Sequence, residues 1–185
     1  MRPHVLFVFL PRFEESHAML RGIAHYERTH QLWAGFHDDQ ARAMTDPSWL
    51  RDKPWDGVIS RHTTPAMAAI CAEQGIPLVD LDDSPVIPGV PKIRPDNVAL
   101  GHLGAEHFLE RGHRHFAFAG FSSEVWSCER RAGFTEALGL AGHTCDLLEM
   151  KYPGDDRPVL DPGQLELLAA CLKRLPKPVG VLARL

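Results

Sequence analysis

Val5-Leu6-Phe7-Val8-Phe9-Leu10 is apolar at every position. A strand with one wet face alternates apolar and polar residues, so an unbroken apolar run reads as a strand covered on both faces. Strands of that kind lie inside parallel sheets flanked by helices. The segments that follow repeat the theme. Met19, Gly22, Ile23 and Tyr26 recur at the spacing of one helix face. Leu32 to Phe36, Gly57-Val58-Ile59-Ser60 and Ile76 to Val79 read as further strands. Thr64 is placed to cap a helix with Pro65 at its first position, an inner stripe of Met67, Ile70 and Cys71, and a stop at Gly75.

Residues 81–91 are rich in Pro and Asp and read as a loop, followed by a short strand at Lys92-Ile93-Arg94. The alternation then restarts. A helix from Asp96 to Arg111-Gly112 is expected to turn Leu100, Leu103, Gly104 and Phe108 inward. His115 to Ala119 is a strand, and 124–141 a helix with Trp126, Arg130, Gly133, Phe134 and Ala137 along one side. Cys145 to Met150 is a strand, 151–163 a loop, Gln164 to Leu175 a helix and Val179 to Ala183 a strand. This predicts an α/β chain in two lobes, residues 1–95 and 96–185, each a parallel sheet flanked by helices. The second lobe is expected to be truncated, because the alternation stops at Leu185.

The 185 residues are 44% hydrophobic and 24% charged, which suffices for a real core. A net charge of −4 leaves no basic footprint for nucleic acid. No apolar stretch approaches the roughly 20 residues that span a bilayer, and no secretory leader precedes the first strand. The reading is a cytoplasmic chain without membrane contact. Cys71, Cys128, Cys145 and Cys171 are far apart and read as reduced thiols. His113 and His115 lack supporting ligands at metal-site spacing, and His102 and His107 are five apart, so no metal or cofactor is expected.

The usual chemical signatures are absent. No Gly-x-Gly-x-x-Gly follows a strand, there is no phosphate loop, and Gly120-Phe121-Ser122-Ser123-Glu124 lacks the second glycine of a nucleophile elbow. The acidic pairs Glu14-Glu15, Asp38-Asp39, Asp82-Asp83 and Asp155-Asp156 read as solvated loops. No residue is nominated as catalytic, and the chain is read as a binding module rather than an enzyme.

Two segments go beyond a generic α/β pattern. One runs from Ile93-Arg94-Pro95-Asp96-Asn97-Val98-Ala99-Leu100-Gly101 through Ala105 to Gly112 and Phe116-Ala117-Phe118. The other is Gly120-Phe121 with Trp126-Ser127-Cys128-Glu129-Arg130-Arg131-Ala132-Gly133-Phe134. Together they resemble the periplasmic-binding-protein-like effector domain of the lac-repressor superfamily, and more closely the xylose-operon regulators. Leu20 to Ala24, Trp55 to Ser60, Gly75 to Val79 and Leu175 to Val181 add to that resemblance. It implies a sugar-sensing module, pentose-like in effector, whose AraC-type DNA-binding domain follows the sensor. It also implies DNA contact only through that further domain, absent from this chain, and a homodimer in the full-length protein. A solute-binding protein of a transport system and an α/β enzyme without a recognisable active site are the alternatives.

The resemblance assigns ligand contacts to Asp96 and Arg130. Asp96 also suits the helix N-cap, and Arg130 a surface pairing with Glu129 or Glu136. Trp126 offers a flat face to a sugar ring or a core aromatic, while Arg131 is expected to face solvent. Arg12 and Phe13 follow the first strand, and Arg61 and His62 the third, where such folds receive ligands.

Overall fold

The computed structural model describes residues 2–10, 14–38, 40, 42–83, 86–152 and 162–183. The chain divides into two compact units, Met1–Arg94 and Pro95–Leu185.

The first unit is built on strands β1 (His4–Val8), β2 (Ala34–Asp38), β3 (Gly57–Ser60) and β4 (Leu78–Asp80). All pair in parallel, in the order β2-β1-β3-β4, with Leu6 opposite both Phe36 and Val58. β1 is therefore internal, which is why its apolar run is unbroken: Leu6, Val8 and Phe9 are essentially solvent-free. Helix α1 (Glu14–His30) follows β1, the short α2 (Arg42–Thr45) and a 3-10 turn (Pro47–Asp52) follow β2, and α3 (Pro65–Gln74) follows β3. Leu6, Val8, Leu50, Trp55, Val58, Met67, Ile70, Cys71 and Leu78 make the core.

α3 matches its sequence signals. The Thr64 side chain accepts the Met67 N–H at 3.1 Å, and Gly75 closes the helix at φ 67°, the left-handed region where glycine carries no side-chain strain. α1 departs from its expected face. Ser16 is buried and Met19 and Ile23 half-buried, whereas Gly22 and Tyr26 face outward. Tyr26 stacks instead on His30 and Trp33, at 4.1 and 5.5 Å between ring centroids. β2 begins two residues later than expected, and Lys92-Ile93-Arg94 contributes a single parallel bridge, Asp80 to Lys92, rather than a strand.

The second unit holds β5 (His115–Phe121), β6 (Asp146–Met150) and β7 (Val179–Ala183), parallel in the order β6-β5-β7. Helices α4 (Asn97–Glu110), α5 (Val125–Leu140) and α6 (Pro162–Arg174) alternate with them. Successive β5 side chains divide between its faces. Phe116 and Phe118 join Ala105, Phe134 and Leu138, while Ala119 and Phe121 join Met150.

α4 does not bury the face that hydrophobicity favours. Leu100 and Leu103 point outward, 40% and 60% exposed, while Asn97, Gly101 and Ala105 are buried. The reason is the crossing with α5. A Cβ on Gly101 would lie 2.2 Å from the Arg130 carbonyl oxygen, and one on Gly133 only 2.1 Å from that of Val98. The two backbones touch, and only small residues fit between them. Of the remaining expected inward positions, Gly104 meets the Leu182 side chain and Phe108 packs onto the Phe116–Phe134 core.

Candidate functional site

In open parallel sheets ligands are received beyond the carboxyl ends of the strands. Each unit presents a polar cluster there.

In the second unit the cluster forms where β5 passes into α5 and where α4 begins. Ser127 Oγ accepts the Phe121 N–H at 2.9 Å and closes the turn from β5 to α5. Trp126 and Arg130 stand one helical turn apart on the same side of α5. The Arg130 guanidinium carbon lies 6.0 Å from the centre of the Trp126 ring, within cation–π reach. Trp126 meets Phe121 edge-on at 5.9 Å, and Phe121 meets Tyr152 at 5.2 Å, so the indole is the half-buried rim of an aromatic cluster.

The sequence did not mark the residue that fixes Arg130. Asn97, 1% exposed, accepts a hydrogen bond of 2.6 Å from Arg130 Nη2 and donates to Glu129 Oε2 at 3.5 Å. Glu129 shares Asn97 with Arg130, and Glu136 is taken by His102 at 3.1 Å. Arg131 does not simply face solvent; it bonds Glu149 of β6 and ties α5 to the sheet. Asp96, at the surface, caps α4 through Oδ1, which accepts the Ala99 N–H at 2.9 Å.

In the first unit the cluster sits after β3 and β4. Asp80 is fully buried, with Lys92 Nζ 2.7 Å from its Oδ2. Its Oδ1 accepts from the Thr63 hydroxyl at 2.9 Å and from the Asp82 N–H at 3.0 Å. Lys92 Nζ also donates to the Asp82 carbonyl at 2.8 Å. His62 is 8% exposed, and its backbone N–H donates to Ser60 Oγ at 3.0 Å. Arg61 is half-buried, its Nη1 lying 3.9 Å from Met19 Sδ of α1. His62 is thus a largely covered side chain, not the solvated one its loop position suggests. Arg12 and Phe13 lie outside the described residues. The Asp80–Lys92 pairing spans a loop in sequence, and no periodicity signals it.

Two of the described thiols titrate above their ordinary range. Burial pushes the Cys145 thiol up to about 11, with the neighbouring Asp146 charge acting in the same direction. Burial also raises Cys71. Neither thiol is a nucleophile near neutrality. Among the described residues no group of three His, Cys, Asp or Glu side chains could hold a metal ion, and no helix is long and apolar enough to cross a membrane.

Residues 13–177 match the family of periplasmic binding proteins and the sugar binding domain of the LacI family. The chain belongs to that family. Among solved structures, a xylose-binding transcription activator superposes over 98% of the chain and 46% of its own, with TM-score 0.71 and 22% identity. A periplasmic binding protein/LacI transcriptional regulator from Alkaliphilus metalliredigens, complexed with D-xylulofuranose, superposes over 98% of the chain and 77% of its own. Its TM-score is 0.65 and its identity 18%. The xylose operon regulatory protein of Haemophilus influenzae is 29% identical over 128 residues, 65% of this chain. That alignment covers 33% of the Haemophilus regulator. The periplasmic-binding-protein-like α/β fold, with parallel sheets flanked by helices, is thus the fold expected from the sequence.

Proposed function

We propose that this chain is the sugar-sensing part of a bacterial transcription regulator and takes a pentose-like effector. One observation carries the reading: a guanidinium fixed by a buried amide beside an indole rim, at the carboxyl end of the central strand β5. A planar donor fork reads paired hydroxyl oxygens, and an aromatic face covers the apolar side of a sugar ring. Arg130 and Trp126 are the principal contacts. Asp96 caps α4 with one carboxylate oxygen and offers the other to a hydroxyl. Arg61 and His62 after β3, with Arg12 and Phe13 after β1, are the contacts from the first unit. Residues 1–95 and 96–185 then act as two lobes of a sensor.

In this reading the effector's different affinities for two conformations shift a DNA-binding domain elsewhere in the full-length protein, which works as a cytoplasmic homodimer. The family membership and the Haemophilus regulator support it. Calorimetry of the protein with D-xylose, D-xylulose, L-arabinose and D-ribose tests it. Saturable binding to at least one is expected, weakened at least tenfold, about 1.4 kcal/mol, in Arg130→Ala. Heats of dilution alone with every sugar would overturn it.

A further inference from the structure

Asp80 and Lys92 form an ion pair whose side chains are 0% and 9% exposed. Removing two charges from water is costly, and an apolar pair of similar volume is often as stable or more so. Stability alone therefore does not account for this pair. What the pair does geometrically is specific. Asp80 Oδ1 receives the Asp82 N–H, and Lys92 Nζ donates to the Asp82 carbonyl. The two backbone groups of one residue are thus held by opposite members of one buried pair. The pair is itself fixed. Thr63, just before α3, donates its hydroxyl to Asp80, and the backbone of Asp80 bonds the chain on both sides of Lys92, through Pro91 and Ile93. Beyond Asp82 the turn continues in order: Asp82 Oδ1 accepts the Asp83 N–H at 2.8 Å, and Arg94 lies 3.9 Å from Asp83.

We propose that the Asp80–Lys92 pair is a positioning clamp that fixes the Asp82–Asp83 turn at the carboxyl edge of the first sheet, where sugar hydroxyls are received. The sugar part of this statement rests on the function proposed above; the ordering of the turn does not. Asp80 and Lys92 act through the turn and are positioning residues, not contacts.

Amide hydrogen exchange and D-xylose calorimetry on the whole chain test it, comparing wild type with the double variant Asp80→Leu/Lys92→Met and with Thr63→Val. In the wild type the Asp82 and Asp83 amides exchange slowly. In the double variant they exchange at least tenfold faster, while amides of β1 and β3 stay within about threefold of wild type, and xylose affinity falls at least tenfold. Unchanged exchange at Asp82, acceleration of β1 and β3 to the same extent, or unchanged affinity would overturn the clamp. Should the double variant not fold, Thr63→Val decides: faster exchange confined to residues 82 and 83 supports the clamp, and no change there refutes it. A wild type that binds none of the four sugars refutes the sensing role, and the exchange pattern alone then judges the clamp.

Discussion

Asn97 and Arg130 show how one buried amide organises a charged side chain. Asn97 sits at the first position of α4, and its carbonyl oxygen turns the Arg130 fork toward the Trp126 rim. Asn97→Leu keeps the branched shape and removes the acceptor. It is expected to cost about 1–3 kcal/mol, the penalty of leaving a buried polar partner unmet, and to weaken sugar binding as Arg130→Ala does. Asn97→Asp keeps an acceptor and should retain much of both; urea unfolding and calorimetry of the two variants check this. Cys145 supplies a pH test. Its folded thiol holds its proton up to about pH 11, against an ordinary value of 9.0. The unfolded thiol ionises first, so the contribution is complete below pH 9 and is lost as pH rises toward 11. Denaturation at pH 8 and pH 10.5 should show a larger fall for wild type than for Cys145→Ser, which has no thiol to ionise.

At the scale of elements, the decisive contact is the α4–α5 crossing. Gly133→Ala places a methyl against the Val98 carbonyl, and separating the helices is expected to cost about 1–3 kcal/mol. That outweighs the gain of up to about 1 kcal/mol that alanine brings to a helix interior. Gly139→Ala, in the same helix with nothing within 4 Å of the new Cβ, should show only the gain. Thermal unfolding of both variants separates close approach from helix propensity. The crossing also explains why Leu100 and Leu103 lie outside the buried face of α4. Leu100 and Leu103 fit a helical stripe as well as Gly101 and Ala105 do, and hydrophobicity ranks the leucines first. Contact between two backbones reverses that ranking. α3 posed no such conflict, since Thr64, Pro65 and Gly75 act through local bonds within a turn of the helix.

For the whole molecule, effector binding and stability are linked. A sugar that binds only the folded protein, at about 100 times its Kd, adds about 2.7 kcal/mol. A rise in melting temperature with D-xylose, absent with a non-binding polyol and reduced in Arg130→Ala, is the expected result in differential scanning calorimetry. The sequence by itself determined the alternation of strands and helices and the internal place of β1. Those follow from periodicity and caps, which act over a few residues. It also carried the resemblance that picked out Asp96 and Arg130. Only the tertiary structure decided which α4 face is buried, that Asn97 holds Arg130, that Arg131 bonds Glu149, and that Lys92 returns to Asp80. These pairings join residues 12 to 33 positions apart, and they exist because packed backbones and excluded water leave buried charges and amides few partners within reach.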